Sequence, residues 1–414
     1  MAQRDADSRA RHSRRHASRA HALSPIWIVV AVLAVVSLGA GVAAAAAGRE
    51  TSLRGQDETA LWLGRSGSRE MSGAATTAAT GTADMTPAVE TTPSTPATIT
   101  IAAVGDLLFD LGPRRLIDAH GGAAPLAKVA SKLRSADLTI ANLETTLSNR
   151  GVAVLGKPAH LIFNGHPKGI LSLTSAGVDL VSLANNHAMD HGRIALADTI
   201  AALDKAKIGH AGAGMTKTKA WAPAYVTVKG RRVAYVTATQ VVPSYFLPSA
   251  TRAGVANGHD LKRLLAYVRA AHKKADIVIV SVHWGVEQSF TANGSQKHDA
   301  RALIDAGADV VLSHHPHVMQ GIDTYKGKLI AYSLGNFLFP YKTVAGRKSF
   351  ILRFQYGPKG VANITAVPVY LGDWGRPVVQ TGASARAILN KLAAISHPMG
   401  THVTVKNGIG YIKP

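Results

Sequence analysis

The sequence predicts an α/β domain behind an N-terminal membrane anchor. Across residues 98–414, strand-like apolar runs alternate with helix-compatible ones, the order of an α/β fold. Five of the strand-like runs end on polar residues able to bind a metal. In open α/β sheets, ligands bind in the crevice beyond the carboxyl ends of the strands.

The run 99–104 leads into Gly105-Asp106, and 138–141 leads into Asn142-Leu143-Glu144. The run 178–184 leads into Asn185-Asn186-His187, and 277–282 into His283-Trp284-Gly285. The last, 310–312, leads into Ser313-His314-His315-Pro316-His317. Between these runs, 126–133, 167–176, 194–205, 261–274 and 298–306 show helical spacing. Gly177, Gly209 and Gly307 follow three of them and read as C-terminal caps. From Tyr225 onward the strand-like runs crowd together, at 225–228, 233–239, 329–333, 350–354 and 364–369, which predicts a second sheet.

Singly, most of the polar endings are ordinary. Gly105-Asp106 and Asn185-Asn186 resemble turns, Glu144 a solvated loop acid, and His283 a satisfied loop histidine. The segment His314-His315-Pro316-His317 differs, because three imidazoles in four residues are a poor structural choice. Pro316 forces His315 away from helical conformation. The loop must bend for His315 and His317 to converge.

Together the five endings predict a metal centre. Mixed carboxylate, amide and imidazole donors suit Mn, Zn or Fe rather than Ca. Two such ions about 3.5–4 Å apart would stabilise attacking and leaving oxygens in a phosphoryl displacement. Glu144 is placed to bridge them. His187, next to Asn186 at the rim, is the candidate general acid.

The chain has 414 residues, 47% of them hydrophobic, and no cysteine. That excludes a thiolate nucleophile, a Cys-ligated zinc and any disulfide. Of 46 basic and 25 acidic residues, 10 and 8 precede residue 97, leaving 36 and 17 in the body, a net of +19. A basic surface of this size suits a polyanion such as nucleic acid, anionic lipid, a wall polymer or an acidic peptide polymer.

Residues 1–25 form a basic tail with Arg4, Arg9, Arg11, Arg14, Arg15 and Arg19. The uncharged apolar run 26–47 is long enough to span about 30 Å of hydrocarbon. The flank predicts a cytoplasmic N-terminus and an extracytoplasmic body, which argues against nucleic acid as a partner. The small residues 43–47 also fit a cleaved signal peptide. Residues 48–97 read as a disordered linker, small and polar with Pro87, Pro93 and Pro96 near its end.

These motifs resemble the bacterial capsule-synthesis CapA/PgsA family, the poly-γ-glutamate capsule proteins of the calcineurin-like metallophosphoesterase superfamily. The resemblance rests on Val104-Gly105-Asp106-Leu107-Leu108, Asn142-Leu143-Glu144-Thr145-Thr146-Leu147 and the stretch Leu183-Ala184-Asn185-Asn186-His187-Ala188-Met189-Asp190-His191-Gly192. It continues through His283-Trp284-Gly285-Val286-Glu287, the stretch Ile304-Asp305-Ala306-Gly307-Ala308-Asp309-Val310-Val311, His314-His315-Pro316-His317-Val318 and Tyr332-Ser333-Leu334-Gly335-Asn336-Phe337. It implies a four-layer α-β-β-α sandwich. It implies Asp106, Glu144, Asn186, His283, His315 and His317 as ligands of one or two divalent transition metal ions, with His187 as the acid. It also implies a membrane-attached role in making or exporting an anionic peptide polymer such as poly-γ-glutamate, beside other membrane capsule-synthesis subunits, with a metal-dependent, hydrolase-like site acting in hydrolysis or transfer. Three positions depart from the wider superfamily: Leu108 replaces a histidine, Glu144 an aspartate and Ser313 a glycine. These departures together predict a weaker or empty metal position.

Two further functions fit the residues. One is a non-catalytic export component that holds a polyanion on its basic surface. The other is a phosphoesterase acting on a cell-wall or lipid phosphate.

Overall fold

The computed structural model describes residues 97–413. The chain divides into two units, 1–86 and 87–414, and every described residue belongs to the second. The basic tail, the apolar run 26–47 and all of the linker but Ala97 lie outside the described residues. Among the described residues, no helix is long and apolar enough to cross a membrane.

The first part alternates β1 (Ile99–Leu107), α1 (Leu111–His120), α2 (Ala130–Arg134), β2 (Leu138–Leu143), α3 (Gly169–Ala176), β3 (Leu180–Ser182), α4 (Gly192–Lys205) and β4 (Gly209–Ala211). These four strands lie side by side and parallel. Next come β5 (Ala213–Gly214), α5 (Lys217–Trp221), β6 (Ala224–Val228), β7 (Arg231–Thr239), β8 (Gly254–Val255), α6 (Leu261–His272) and β9 (Ile277–His283). Then follow α7 (Gly294–Asp305), β10 (Val310–His314), β11 (Ile322–Tyr325) and β12 (Lys328–Ala331). They build a second sheet in the order β11-β12-β10-β9-β7-β6, parallel at its centre and antiparallel at both edges. The chain returns to the first sheet through β13 (Asn336–Leu338), β14 (Lys348–Gly357), β15 (Gly360–Leu371) and β16 (Pro377–Val379). It ends with α8 (Gly382–Ser396), β17 (His402–Lys406) and β18 (Ile409–Lys413). β14 pairs antiparallel with β1, so the first sheet is mixed as well.

The central strands are apolar at nearly every position because both of their faces are buried. Ile99, Ile101 and Ala103 of β1 point into a layer shared with Tyr235, Ile277, Ile279, Val310 and Leu312 of the second sheet. Ala102 and Val104 point the other way, onto Ile117 of α1, Leu173 of α3 and Leu196 of α4. On the second sheet, Val278, Val280 and Val282 meet Leu264 and Val268 of α6 and Leu303 of α7. The side chains thus form three apolar layers, helix on sheet, sheet on sheet and sheet on helix. Each buried Val, Leu or Ile contributes about 1.5–3 kcal/mol.

Element boundaries follow local chemistry. Gly177 ends α3 in the left-handed region with φ 72°, and Gly307 follows α7 with φ 109°. Gly209 caps nothing: it opens β4, and Lys207 makes the left-handed turn after α4. The expected helix 126–133 is a short turn followed by α2. α7 starts before residue 298 because Asn293 and Gln296 form a reciprocal capping box. The sequence reading did not anticipate α1. There, Asp110 accepts the Leu111 N–H at 2.8 Å, and Pro113 sits in the first turn, which needs no intrahelical N–H.

One close crossing positions the site. The Asp106 N–H donates to Gly335 O at 3.0 Å, and a Cβ on Gly105 would meet that oxygen at 1.8 Å. Gly105→Ala is therefore expected to cost on the order of 3 kcal/mol in chemical denaturation. Gly294→Ala, at an open helix start, should be neutral or stabilising. Equal stability of the two variants would show that the crossing tolerates a side chain.

Candidate metal centre

The two sheets meet where their parallel strands end. Asp106 on β1 registers with Asn142 on β2 and Asn336 on β13, and the register of β1 slips just before it. Such irregularities re-aim side chains at sites. Asn142 Nδ2 donates to Asp106 Oδ1 at 2.9 Å. Asn185 Nδ2 donates to Asn142 Oδ1 at 3.1 Å and to Leu143 O at 2.8 Å, so Asn185 braces the site. Asn186 instead turns its Oδ1 to His283 Nε2, 2.8 Å away.

The second sheet brings the imidazoles. His283 ends β9 in register with His314 of β10. His314 Nδ1 lies 3.1 Å from Asp106 Oδ1. His317 Nδ1 lies 3.6 Å from Asp106 Oδ2, and its Nε2 lies 3.9 Å from Glu144 Oε1. The bend required around Pro316 is present: His315 has φ 95° and His317 φ 55°. Left-handed conformations in non-glycine residues cost about 1–3 kcal/mol each and cluster at functional sites. Backbone bonds to Pro316 O from Gln288 and to Ser313 O from Leu334 hold the loop.

Both carboxylates are buried, Glu144 with 0% exposure and no hydrogen-bond partner on either oxygen. His283 Nε2 comes within 3.4 Å of Glu144 Oε1, but not in hydrogen-bonding geometry. Burial, then the Asp106 charge, pushes the Glu144 carboxyl well above the ordinary range. Burial also opposes ionisation of Asp106, but His314, His317 and Asn142 outweigh it and hold that carboxyl low. Burial and the neighbouring rings push His283 well down, and burial and His317 push His315 down to about 3. Those rings are neutral at ordinary pH, the form that ligates metals.

These residues fit a divalent cation. Donor atoms of Glu144, His283 and His315 lie within 4.8 Å of one another, as do those of Asp106, Glu144 and His317. Glu144 belongs to both groups. Asn186 lies beside the first group, with its Oδ1 2.8 Å from His283 Nε2. Leu108 lies in the helix-side apolar layer and adds no donor to the second. Six expected ligands therefore converge on one place: Asp106, Glu144, Asn186, His283, His315 and His317.

A small opening of about 110 Å³ leads to the cluster, lined by Lys157, Phe163, His187, Glu287, His317 and Tyr341 among others. His187 Nδ1 lies 2.7 Å from Asp190 Oδ2 and 2.9 Å from Lys157 Nζ. The closer carboxylate can only accept, so Nδ1 carries the proton and Nε2 is the working nitrogen. Lys157 donates to Asp190 Oδ1 at 2.5 Å and to Asn186 O at 2.9 Å. Burial lowers the His187 pKa, although Asp190 pulls it upward.

The sequence reading missed several supporting residues. Asp190 was visible in principle, three residues after His187. Glu287 forms a further donor group with His315 and His317. His317 Nδ1 and Asn336 Oδ1 lie 2.8 Å apart. Lys157 arrives from a long loop whose composition carries no signal.

Two carboxylates, an amide and three imidazoles at the strand ends of two α/β sheets define a protein with a candidate divalent-metal centre. The family described as "Bacterial capsule synthesis protein PGA_cap" matches residues 100–341, and the chain belongs to it. Similar proteins include "PGA biosynthesis protein CapA" of Bacillus subtilis (strain 168), 29% identical over 71% of this chain and 77% of that one. "Capsule biosynthesis protein CapA" of Bacillus anthracis is 28% identical over 69% of this chain and 70% of its own. Among solved structures, a hypothetical protein from Thermus thermophilus is 18% identical, with a TM-score of 0.42 over 65% of this chain and 98% of that chain. The Haemophilus influenzae NAD nucleotidase is 13% identical, with a TM-score of 0.38 over 72% and 63%.

The electrostatics of Glu144 generate a test. Its raised pKa means that metal-free protein loses stability as pH rises from the ordinary carboxylate range toward the folded-state pKa. A bound cation needs the ionised form, so the metal-induced rise in Tm should grow between about pH 5 and pH 7.5. Glu144→Gln should raise the Tm of metal-free protein at neutral pH and abolish the metal-induced rise. A metal-induced rise that survives in Glu144→Gln would remove Glu144 from the centre.

Proposed function

We propose that this chain is a membrane-anchored, extracytoplasmic protein of capsule or poly-γ-glutamate-type polymer biosynthesis or export. Its metal centre, of the calcineurin-like metallophosphoesterase type, acts in hydrolysis or transfer. One observation carries the catalytic part: a buried Glu144 with both oxygens unpartnered, shared by two donor groups, beside a histidine oriented by an acid. Family membership and the names of the Bacillus relatives support the polymer. The apolar run 26–47 behind a basic tail supports the anchor and the extracytoplasmic side.

Asp106, Glu144, Asn186, His283, His315 and His317 would hold one or two divalent ions. When bound, such an ion polarises a substrate oxygen and acidifies water. The protein's own residues do the rest. His187 exchanges a proton at Nε2, and Asp190 fixes its tautomer and orientation. An anionic substrate in the opening raises the His187 pKa and favours the acid form. Phe163, whose ring centroid is 4.5 Å from that of His187, limits water on one side. Lys157 adds positive charge at the rim.

A second reading, a non-catalytic component that holds the polyanion, is favoured by the +19 body, from 36 basic and 17 acidic residues.

Elemental analysis of the purified full chain should find one or two equivalents of transition metal, lost in the Asp106→Ala/His317→Ala double variant. His187→Ala should keep the metal and lower turnover of phosphate esters or polymer about 10²–10⁴-fold. Asp190→Asn should move the alkaline limb of the pH–rate profile to lower pH, because Asp190 raises the pKa of the acid His187. Polymer output unchanged by a metal-replete His187→Ala protein would exclude the catalytic role and leave the second reading.

A further inference from the structure

On the helix side of the first sheet, the turn Asp373–Gly375 presents Trp374 to solvent, 42% exposed. Trp374 has φ 58°, and Leu111, 50% exposed at the start of α1, has φ 53°. Gly112 seats directly on this turn, since a Cβ there would meet Trp374 O at 2.6 Å. Phe339 donates its N–H to Gly375 O at 3.1 Å, and Gly372 donates to Arg376 O at 2.8 Å. A rigid turn thus holds an exposed indole in a costly backbone conformation. Such strain persists where something other than stability requires it.

Two cavities, of about 410 and 460 Å³, flank the indole. Arg115 and Arg347 line the first, and His120, Lys128 and Arg376 line the second. Asp373 is the acid between them. Arg115 and Lys128 have no carboxylate partner among the described residues, and Arg376 Nε is buried without one. Arg347 spends Nε on Leu371 O, 2.7 Å away, and lays its guanidinium 4.9 Å from the Tyr370 ring centroid, while its terminal nitrogens have no carboxylate partner among the described residues. Tyr341 lines both the first cavity and the opening at the metal centre, with its ring 5.3 Å from that of His317. The two cavities adjoin at Trp374, and Tyr341 separates the first of them from the opening at the metal centre, a track of neighbouring recesses.

We infer that this track binds an extended polycarboxylate peptide, a glutamate polymer, and leads it to the metal centre. The inference rests on the polymer reading above. A glutamate polymer offers one carboxylate per residue to unpaired guanidinium groups, which grip carboxylates bidentately. Its methylenes and amide planes suit stacking on an exposed indole.

The test is fluorescence anisotropy of a labelled γ-linked glutamate oligomer titrated with the full chain in detergent. Saturable binding that weakens with salt is expected. Trp374→Gly and Arg115→Glu should each weaken it about tenfold. Metal content should hold in both, and Trp374→Gly should not lower the Tm, because glycine adopts positive φ freely. Arg115→Lys should restore part of the affinity lost in Arg115→Glu. Undiminished binding in both variants would overturn the track, as would inorganic polyphosphate binding at least as tightly as the oligomer. If Glu144→Gln alone abolished binding, the track would fail while the polymer reading stood. No oligomer binding by the unaltered chain would defeat both.

Discussion

The structure depends on burying the carboxyl group of Glu144, for which the described residues supply no hydrogen-bond partner. Glu144 sits against Asp106 with both oxygens unpartnered. Breaking or omitting the partner of a buried charge costs about 3–5 kcal/mol, comparable to two or three of the aliphatic side chains in the layers around it. Three apolar layers can carry that cost. They also bury the site's carboxylates and imidazoles, which strengthens the electrostatic contacts among them. The left-handed turns at His315 and His317 add to the burden and place their rings where the carboxylates are.

Supporting groups hold the site without being candidate ligands. Asn142 and Asn185 form a chain of amides from Leu143 O to Asp106, which leaves Asp106 one orientation. His314 braces the same carboxylate from the other sheet. At the rim, Lys157 and Asp190 do for His187 what the amides do for Asp106. Asp190 also accepts the Phe163 N–H at 2.9 Å, tying the loop that carries the aromatic wall to His187.

Much of this was legible in the sequence. Central strands announce themselves because both faces are buried, so β1, β2, β9 and β10 appear as apolar runs, broken at most by a lone Thr100, Thr139 or Ser281, followed by polar residues. The ligand candidates were visible for the same reason, as polar residues placed where a buried strand stops. The short pieces were not: β4, β5, β8 and β13 span two or three residues each and have no period to detect. Helix α1 was hidden by Gly112 and Pro113, which resemble a turn when the Asp110 cap is unseen. Helix α8 did carry a signal, with Ala385, Ile388, Leu389 and Leu392 at helical spacing. Residues that act through long loops, Lys157 above all, depend on tertiary placement and leave no local pattern.

The donors are divided by origin. Asp106, Glu144 and Asn186 all come from the first sheet and offer oxygen; His283, His315 and His317 all come from the second and offer nitrogen. A hard ion such as magnesium prefers oxygen and would be served by one sheet alone, whereas zinc, manganese or iron engages both kinds of donor. Only the latter would rivet one sheet to the other across their seam. A bound ion would in this sense make the centre a mechanical joint as well as a chemical one, added to the direct contacts of Asn186 with His283 and of Asp106 with His314 that already cross the seam.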